Sequence, residues 1–561
     1  MKKLLLITLC VFTSTFCMAQ TPGWAGKAKK SVFSIITYDN DDKIKSTGNG
    51  FYIDDKGTGV SDYTLFKGAK RAVIVDADGK QYPVDCILGA NEIYDVVKFR
   101  VKADKATPAL TIAKNTPEKG ATIYLLPYST QKQTSLQNGK VEEVTDIEGG
   151  HKYYTLQLNT TDKMVSCPVT NANGEAIGLI QNAASNTENS SYAIGVSFAS
   201  GLSINALSGG DYVLNNIGIK KGFPEKEDQA LVYIYMIANS LNVEEYINLL
   251  NEFLIQFPNS SEGYLRRATA YIDHYKDNEH YALAENDIEK ALEKAEKKDD
   301  MLYNLSKVYL LSSTPEFTYK DWNGEKALQT IQQAITINPL PIYIQQEGDI
   351  YYALKNYEKA FESYDKVNHS DMVSEISLFS AARAKQMAGA KEEALALMDS
   401  TVAHFGKILT AKAAPYIFQR AQMRADMKMY RPAIADYNEY YRLLGGKVSA
   451  LFYFSREQAE MQTRMYQQAL DDIEKAVEIA PEEPVYLIEM TSVYIRFNRL
   501  DDAINAAKKG ITLAPENPDF YRMLGYCQAQ TGQKEEGKKN LLKAKELGDP
   551  NADMLIEKYC K

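Results

Sequence analysis

The sequence predicts a multidomain protein, an all-β half followed by an all-α half, on three observations. From about residue 26 to 205, short β-branched or aromatic runs alternate with turn residues at the spacing of a barrel or a pair of barrels. From about residue 227 to the end, the pattern switches to helices in pairs, and the sequence repeats itself with a period of 34 residues. Between the halves, residues 206–226 are rich in Gly, Asn and Lys and read as a linker or a short docking segment.

The N-terminus is read separately from both halves. Lys2-Lys3, an apolar run from Leu4 to Phe16, and Cys17-Met18-Ala19 before Gln20 form a signal peptide over residues 1–19, cut after Ala19. The apolar run is too short to span a bilayer, and nothing later approaches an unbroken apolar stretch of about eighteen residues. Cys10 and Cys17 lack the small preceding residue of a lipoprotein signal. The expectation is a bacterial protein, periplasmic or secreted, that does not span the membrane. Cys86, Cys167, Cys527 and Cys560 remain in the mature chain, too few for a disulfide framework. Cys527 and Cys560 are read either as a pair or as two buried thiols.

In the first half the strand-like segments are Val32–Thr37, Gly50–Ile53, Ala72–Val75, Tyr82–Leu88, Val96–Val101, Thr122–Leu126, Lys140–Val144 and Tyr153–Leu158. Asp78-Gly79 and Asn173-Gly174 mark hairpin turns, because glycine tolerates the positive φ those turns need. Asp39-Asn40-Asp41-Asp42 is acidic but lacks the spacing of a calcium loop, and reads as a solvated turn.

In the second half, Ala469, Ala503 and Gly537 are spaced 34 residues apart, as are Ala476, Gly510 and Ala544, and Pro481 and Pro515. Small residues at a helix crossing let two backbones approach, and a proline ends the second helix of each pair. This pattern resembles the tetratricopeptide repeat, most closely over Ile342–Val367, where Gly348, Tyr351, Tyr357, Ala360 and Tyr364 fall at the motif positions. About nine helical pairs are expected from residue 227 to 561. The resemblance implies a solenoid whose first helices line a concave surface that holds a partner peptide. On that register Tyr352, Phe418, Gln422, Phe454, Gln458, Arg496, Arg522 and Tyr526 face the groove. Aromatic and arginine side chains are the usual anchors of such surfaces.

The first half resembles trypsin-like serine proteases of the high-temperature-requirement type. Gly48-Asn49-Gly50-Phe51-Tyr52-Ile53 is similar to the entry strand G-S-G-F-I-I of that family. The run from Val60 to Ala69 is similar to V-T-N-N-H-V-V-x-G-A, which sets Thr64 at the catalytic histidine. Tyr94-Asp95-Val96-Val97-Lys98-Phe99 resembles T-D-L-A-V-L, which sets Asp95 at the aspartate that orients it. Lys163-Met164-Val165-Ser166-Cys167-Pro168 stands where the family has G-N-S-G-G-P, which sets Val165 at the serine. Tyr192–Ser197 is like the following F-A-I-P strand.

A threonine is no base near neutral pH and a valine no nucleophile, so the resemblance implies a protease scaffold without its chemistry. The alternative is an active serine or cysteine peptidase with a non-standard site, using Ser166 or Cys167, with substrates recruited by the repeats. The histidine of the mature chain nearest in sequence to that loop is His151, in the second barrel, whereas the family draws its base from the first.

No phosphate-cradling loop, H-E-x-x-H helix or clustered zinc pattern appears, so no cofactor or metal is expected. A net charge of −9 without a basic block argues against nucleic acid as the main partner. What remains is a protein or peptide partner in the cell envelope, with this chain as scaffold or adaptor.

Overall fold

The computed structural model describes residues 22–103, 105–131, 136–182, 190–312 and 317–560. The expected signal peptide, with Cys10 and Cys17, lies outside the described residues. The chain divides into two compact units, the first reaching Ala270 and the second beginning at Tyr271.

The first unit contains two closed six-strand barrels. The first is built from β1 (Val32–Tyr38), β2 (Ile44–Tyr52), β3 (Thr58–Ser61), β4 (Arg71–Val75), β5 (Gln81–Asn91) and β6 (Val96–Val101), joined in the order β1-β2-β3-β6-β5-β4. The second is built from β7 (Thr122–Leu125), β8 (Gln137–Asp146), β9 (Lys152–Gln157), β10 (Pro168–Thr170), β11 (Ala176–Ile180) and β12 (Ser190–Gly195), joined in the order β10-β11-β12-β9-β8-β7. Read from β7, that is the same order as in the first barrel. Closure leaves neither sheet with an open edge, so each short strand is held on both sides.

Alternation along the strands fills each interior. Phe33, Ile35, Ile74, Ile87 and Phe99 pack with Phe66 inside the first barrel. Ile123, Leu125, Leu156, Val169 and Cys167 fill the second. A third apolar layer joins the two: Val32, Phe51, Val60 and Val96 from the first barrel meet Leu126, Leu179, Ile194 and Val196 from the second. The residues that the protease resemblance singles out lie along this seam.

Residues 206–226 dock on the first barrel. The Gly68 amide donates to Asn216 O and the Gly218 amide to Ala69 O, both at 2.7 Å. The Ile87 amide donates to Lys220 O at 2.9 Å, and the Gly222 amide donates back to Ile87 O at 2.8 Å. Leu214, Ile217 and Ile219 are buried in the barrel's core with Tyr233 of the helix Glu227–Ala238. Of the two readings of this segment, docking describes it.

Nineteen helices follow among the described residues, from Glu227–Ala238 to Ala552–Tyr559. The recurring Ala469, Ala476, Ala503 and Ala544 are all fully buried. At Gly348 an added Cβ would lie 2.5 Å from Cε1 of the buried Tyr364 ring, so the helices cross too closely for any side chain there. Gly525 and Gly537 are each other's closest backbone neighbours, an added Cβ on either lying 2.7 Å from the other's carbonyl oxygen. Helices Pro484–Arg496 and Pro518–Gln530 begin on a proline, whose missing amide is no loss at that position.

Charge also crosses between helices. Arg420 grips Asp436 at 2.7 and 2.9 Å, and Arg456 grips Asp472 at 2.7 and 2.8 Å, each carboxyl being buried. Such two-pronged pairs fix the orientation of one helix on the next. Cys527 is a buried free thiol and Cys560 a half-buried one; the two are not bonded to each other.

Candidate functional site

Three loops bring the protease-like positions to the seam. Asp62 precedes the short helix Tyr63–Phe66, which carries Thr64, without capping it through its side chain. Asp95 ends the turn before β6 in a left-handed backbone conformation, φ +48°. Val165 follows the single 3-10 turn Asp162–Met164 that leads into β10.

Thr64 and Asp95 are bonded directly. The Thr64 amide donates to Asp95 Oδ1 at 2.7 Å, and its hydroxyl donates to the same oxygen at 2.9 Å. The structure therefore joins the residues that the resemblance sets at histidine and aspartate. Thr64 presents to the seam a hydroxyl whose proton is committed to a carboxylate.

Val165 is held differently. Its side chain is half-buried, and its amide turns back toward Asp162 O at 3.4 Å within the 3-10 turn. Asn49 on β2 reaches across the seam and donates from Nδ2 to Lys163 O at 2.9 Å and to Val165 O at 3.1 Å. The loop is thus pinned to the first barrel through its carbonyls.

The next residue makes the deepest contact. Ser166 is fully buried with φ +62°, a conformation that favours glycine, and the resemblance has glycine at this position. Its amide donates to Ile180 O at 2.8 Å, and its hydroxyl donates to Asp62 Oδ1 at 2.9 Å. Ser61 donates to the same Asp62 oxygen at 3.2 Å and to Asn49 O at 2.6 Å. Burial pushes the Asp62 carboxyl up to about 6; the neighbouring Asp95 charge adds to the rise, and the serine hydrogen bonds oppose it.

The other groups of the alternative reading stand apart from this cluster. Cys167 is fully buried, and burial pushes its thiol up to about 12, far from the thiolate a nucleophile needs. His151 Nδ1 lies 3.3 Å from Ser197 Oγ with its ring edge-on to Phe198. The Ser166 hydroxyl has a carboxylate as acceptor, not an imidazole.

Asp62, Asn49 and Ser61 are the members of this site that the sequence reading did not single out. The available signal was Asp62 itself, an acid flanked by Val60, Tyr63 and Leu65 in a segment otherwise built for burial.

Among the described residues, no group of three or more His, Cys, Asp or Glu is arranged to hold a metal ion, and no helix is long and apolar enough to cross a membrane. At the acidic turn, Asp39 Oδ1 accepts from the Asp41 and Lys43 amides, and Arg71 pairs with Asp42.

In the helical region the eight groove candidates lie on five helices. Tyr352 accepts from Arg383 at 3.1 Å and lines a small pocket. Phe418 meets Tyr437 edge-on and Tyr440 at a tilt, and Phe454 lies tilted against Tyr486. Tyr526 meets Tyr559 edge-on, and Arg522 pairs with Asp519 and the buried Asp549. Gln422 is half-buried, while Gln458 and Arg496 are exposed. The aromatic members thus pack between helices, and Arg522 is bound into the end of the array.

Comparison with known proteins agrees with both halves. Residues 48–179, which contain Thr64, Asp95 and Val165, match the trypsin-like peptidase domain family, and residues 343–368 match the tetratricopeptide repeat family. The chain carries a trypsin-like peptidase domain of two six-strand barrels, followed by tetratricopeptide repeats. Among curated proteins it is similar to sperm-associated antigen 1 of Mus musculus, 29% identical over 127 residues, and of Rattus norvegicus, 27% identical over 167 residues. Those matches cover 20% and 28% of this chain and 14% and 18% of the relatives, so the chain spans less than a fifth of their length.

Proposed function

We propose that this chain is an exported scaffold or adaptor of the cell envelope, whose repeats bind a partner protein or peptide and whose protease-like barrels do not hydrolyse peptides. The observation that carries the second part is the fate of the Ser166 proton. A serine nucleophile must hand its proton to a base while amide donors hold the developing oxyanion. Ser166 is fully buried and donates to an equally interior carboxyl, while Thr64 is itself a donor to Asp95. The Val165 amide, which an oxyanion would need, faces Asp162 O instead. The repeats support the first part, because their family binds peptides and Arg496 and Gln458 remain exposed on the helices expected to line the groove.

The test of the binding half is affinity capture from native envelope with the intact tagged chain, beside the double variant Gln458→Arg/Arg496→Glu. Both residues are exposed, and arginine at 458 keeps an N–H donor for the buried Glu457, to which Gln458 Nε2 donates at 2.7 Å. The expected result is a partner retained by the intact chain and lost by the variant. A partner set unchanged by the variant would remove these helices from the binding surface.

A further inference from the structure

Two glutamates stand where the array brings a pair of helices together. Glu457, Thr491 and Gly525 are spaced 34 residues apart, as are Glu460, Tyr494 and Gln528. At the last of these crossings Gly525 meets the Gly537 backbone, an added Cβ lying 2.7 Å from its carbonyl oxygen. Two periods earlier the corresponding pair is Glu457 with the fully buried Ala469. A carboxyl therefore occupies the phase at which the array elsewhere has a glycine.

Both side chains are interior, Glu457 being 0% and Glu460 3% exposed. Glu457 Oε1 and Glu460 Oε2 are buried oxygens without a hydrogen-bond partner among the described residues. The other Glu457 oxygen accepts from Gln458 Nε2 at 2.7 Å, and Glu460 Oε1 lies 3.6 Å from Arg456 Nε. That guanidinium is already engaged. It grips the buried Asp472 with two N–H groups and donates from Nη1 to Asn438 Oδ1 at 2.8 Å.

The packed neighbours bring more negative charge. From the helix Tyr466–Ile479, Asp472 bears on both glutamates and Asp471 on Glu460. From the helix Pro484–Arg496, Glu489 faces Glu457. The helix Tyr430–Leu443 offers Asn438 and the Tyr441 ring, both against Arg456. No cation lies within ion-pair distance of Glu457 among the described residues, and Arg456 is the one that reaches Glu460.

Ionised together, Glu457, Glu460 and Asp472 would set three buried negative charges against one guanidinium. A buried carboxylate without a partner is costly, and a proton on each glutamate removes two of those charges. Burial pushes each glutamate up to about 8. Glu489 adds to the rise at Glu457 and Asp472 to that at Glu460, while the Gln458 and Arg456 contacts oppose it.

We propose that Glu457 and Glu460 form a proton-operated joint in the array, closed while both hold their protons and loosened when they ionise. Opening exposes both groups to water, where the ordinary value is 4.5. Between about 4.5 and 8 the closed joint holds protons that the open one releases, so rising pH favours opening. Above about 8 both states are charged and the effect levels off. Phe454 and Gln458 lie on the helix that carries the glutamates, and Arg496 on the next, so the joint acts on the face expected to hold a partner. That consequence rests on the repeats being the binding half; the joint itself does not.

The test is hydrogen exchange of the full chain at about pH 6 and about pH 8.5, with times scaled to the intrinsic exchange rate and peptides read by mass spectrometry. Residues 450–479 are expected to lose about tenfold or more of their protection at the higher pH. Residues 518–546, where Gly525 and Gln528 hold the two positions, are expected to keep theirs. The double variant Glu457→Gln/Glu460→Gln keeps the side-chain size without the charge and should hold the same protection at both pH values. If it does not fold, each single variant should show about half of the parent's loss on a logarithmic scale.

Equal protection of the parent at both pH values, an equal loss in both segments, or the parent's full loss in the variants would overturn the proposal. The exchange needs no partner. Its failure with capture intact removes the joint alone, and failed capture with pH-dependent exchange removes the envelope partner alone.

Discussion

Asp62 has its carboxyl beneath the seam between the barrels, with Ser61 and Ser166 donating to one oxygen. Because burial raises it to about 6 from an ordinary value of 3.8, the folded protein takes up this proton before the unfolded chain does. Above about pH 6 the carboxyl is charged in both states, and the folded state carries the cost of burying that charge. As pH falls through the folded value the cost is relieved, and the relief is complete below the unfolded value near 3.8. The barrels should therefore gain roughly 2 to 3 kcal/mol from this group between neutral pH and about pH 4. Asp62→Asn keeps an acceptor for both serines and removes the charge. Chemical denaturation should find it about 2 kcal/mol more stable than the parent at neutral pH and flatter between about pH 4 and pH 6. An unchanged pH slope would show that Asp62 is not the group that titrates.

Part of this site was legible in the sequence and part was not. The resemblance set Thr64 and Asp95 at positions that contact each other in a protease, and here they bond. The Ser166–Asp62 and Asn49–Val165 bonds join residues 104 and 116 positions apart, and no local pattern encodes such a meeting. The left-handed backbone at Ser166 was hidden by the residue itself, since a glycine there would have announced it.

At the scale of elements, period was the better guide for helices than for strands. Each buried small residue of the repeat recurs in phase, so packing wrote the same signal several times over. Strand β3 is only four residues with a glycine at its centre, and it owes its conformation to β2 and β6 on either side. Local propensity has nothing to offer in such a segment. Gly59 is needed there because an added Cβ would lie 2.9 Å from the Phe99 ring.

The helix crossings make a prediction at this scale. Gly348→Ala would drive a methyl group to 2.5 Å from the Tyr364 ring, which is 2% exposed and has no room to turn. The crossing should open at a cost of about 1 to 3 kcal/mol, the usual range for overpacking a filled core. Thermal unfolding followed by circular dichroism at helical wavelengths checks it. An unchanged melting temperature would mean that the close approach does not stabilise the array.

For the whole molecule, two families meet on one chain, and a fold does not by itself carry its usual activity. The seam between the barrels holds its polar groups in bonds to one another: Thr64 with Asp95, Ser166 with Asp62, and Asn49 with the loop. The helical array retains exposed polar side chains, Gln458 and Arg496 among them. The proposed function, binding by the repeats without hydrolysis by the barrels, is consistent with these observations. It is tested most directly by incubating the intact chain with a diverse peptide library and reading the products by mass spectrometry, beside Ser166→Ala and Cys167→Ala. The account predicts no cleavage above the buffer blank from any of the three proteins. Cleavage by the parent that disappears in either variant would contradict it, and would make the barrels a peptidase with a non-standard nucleophile.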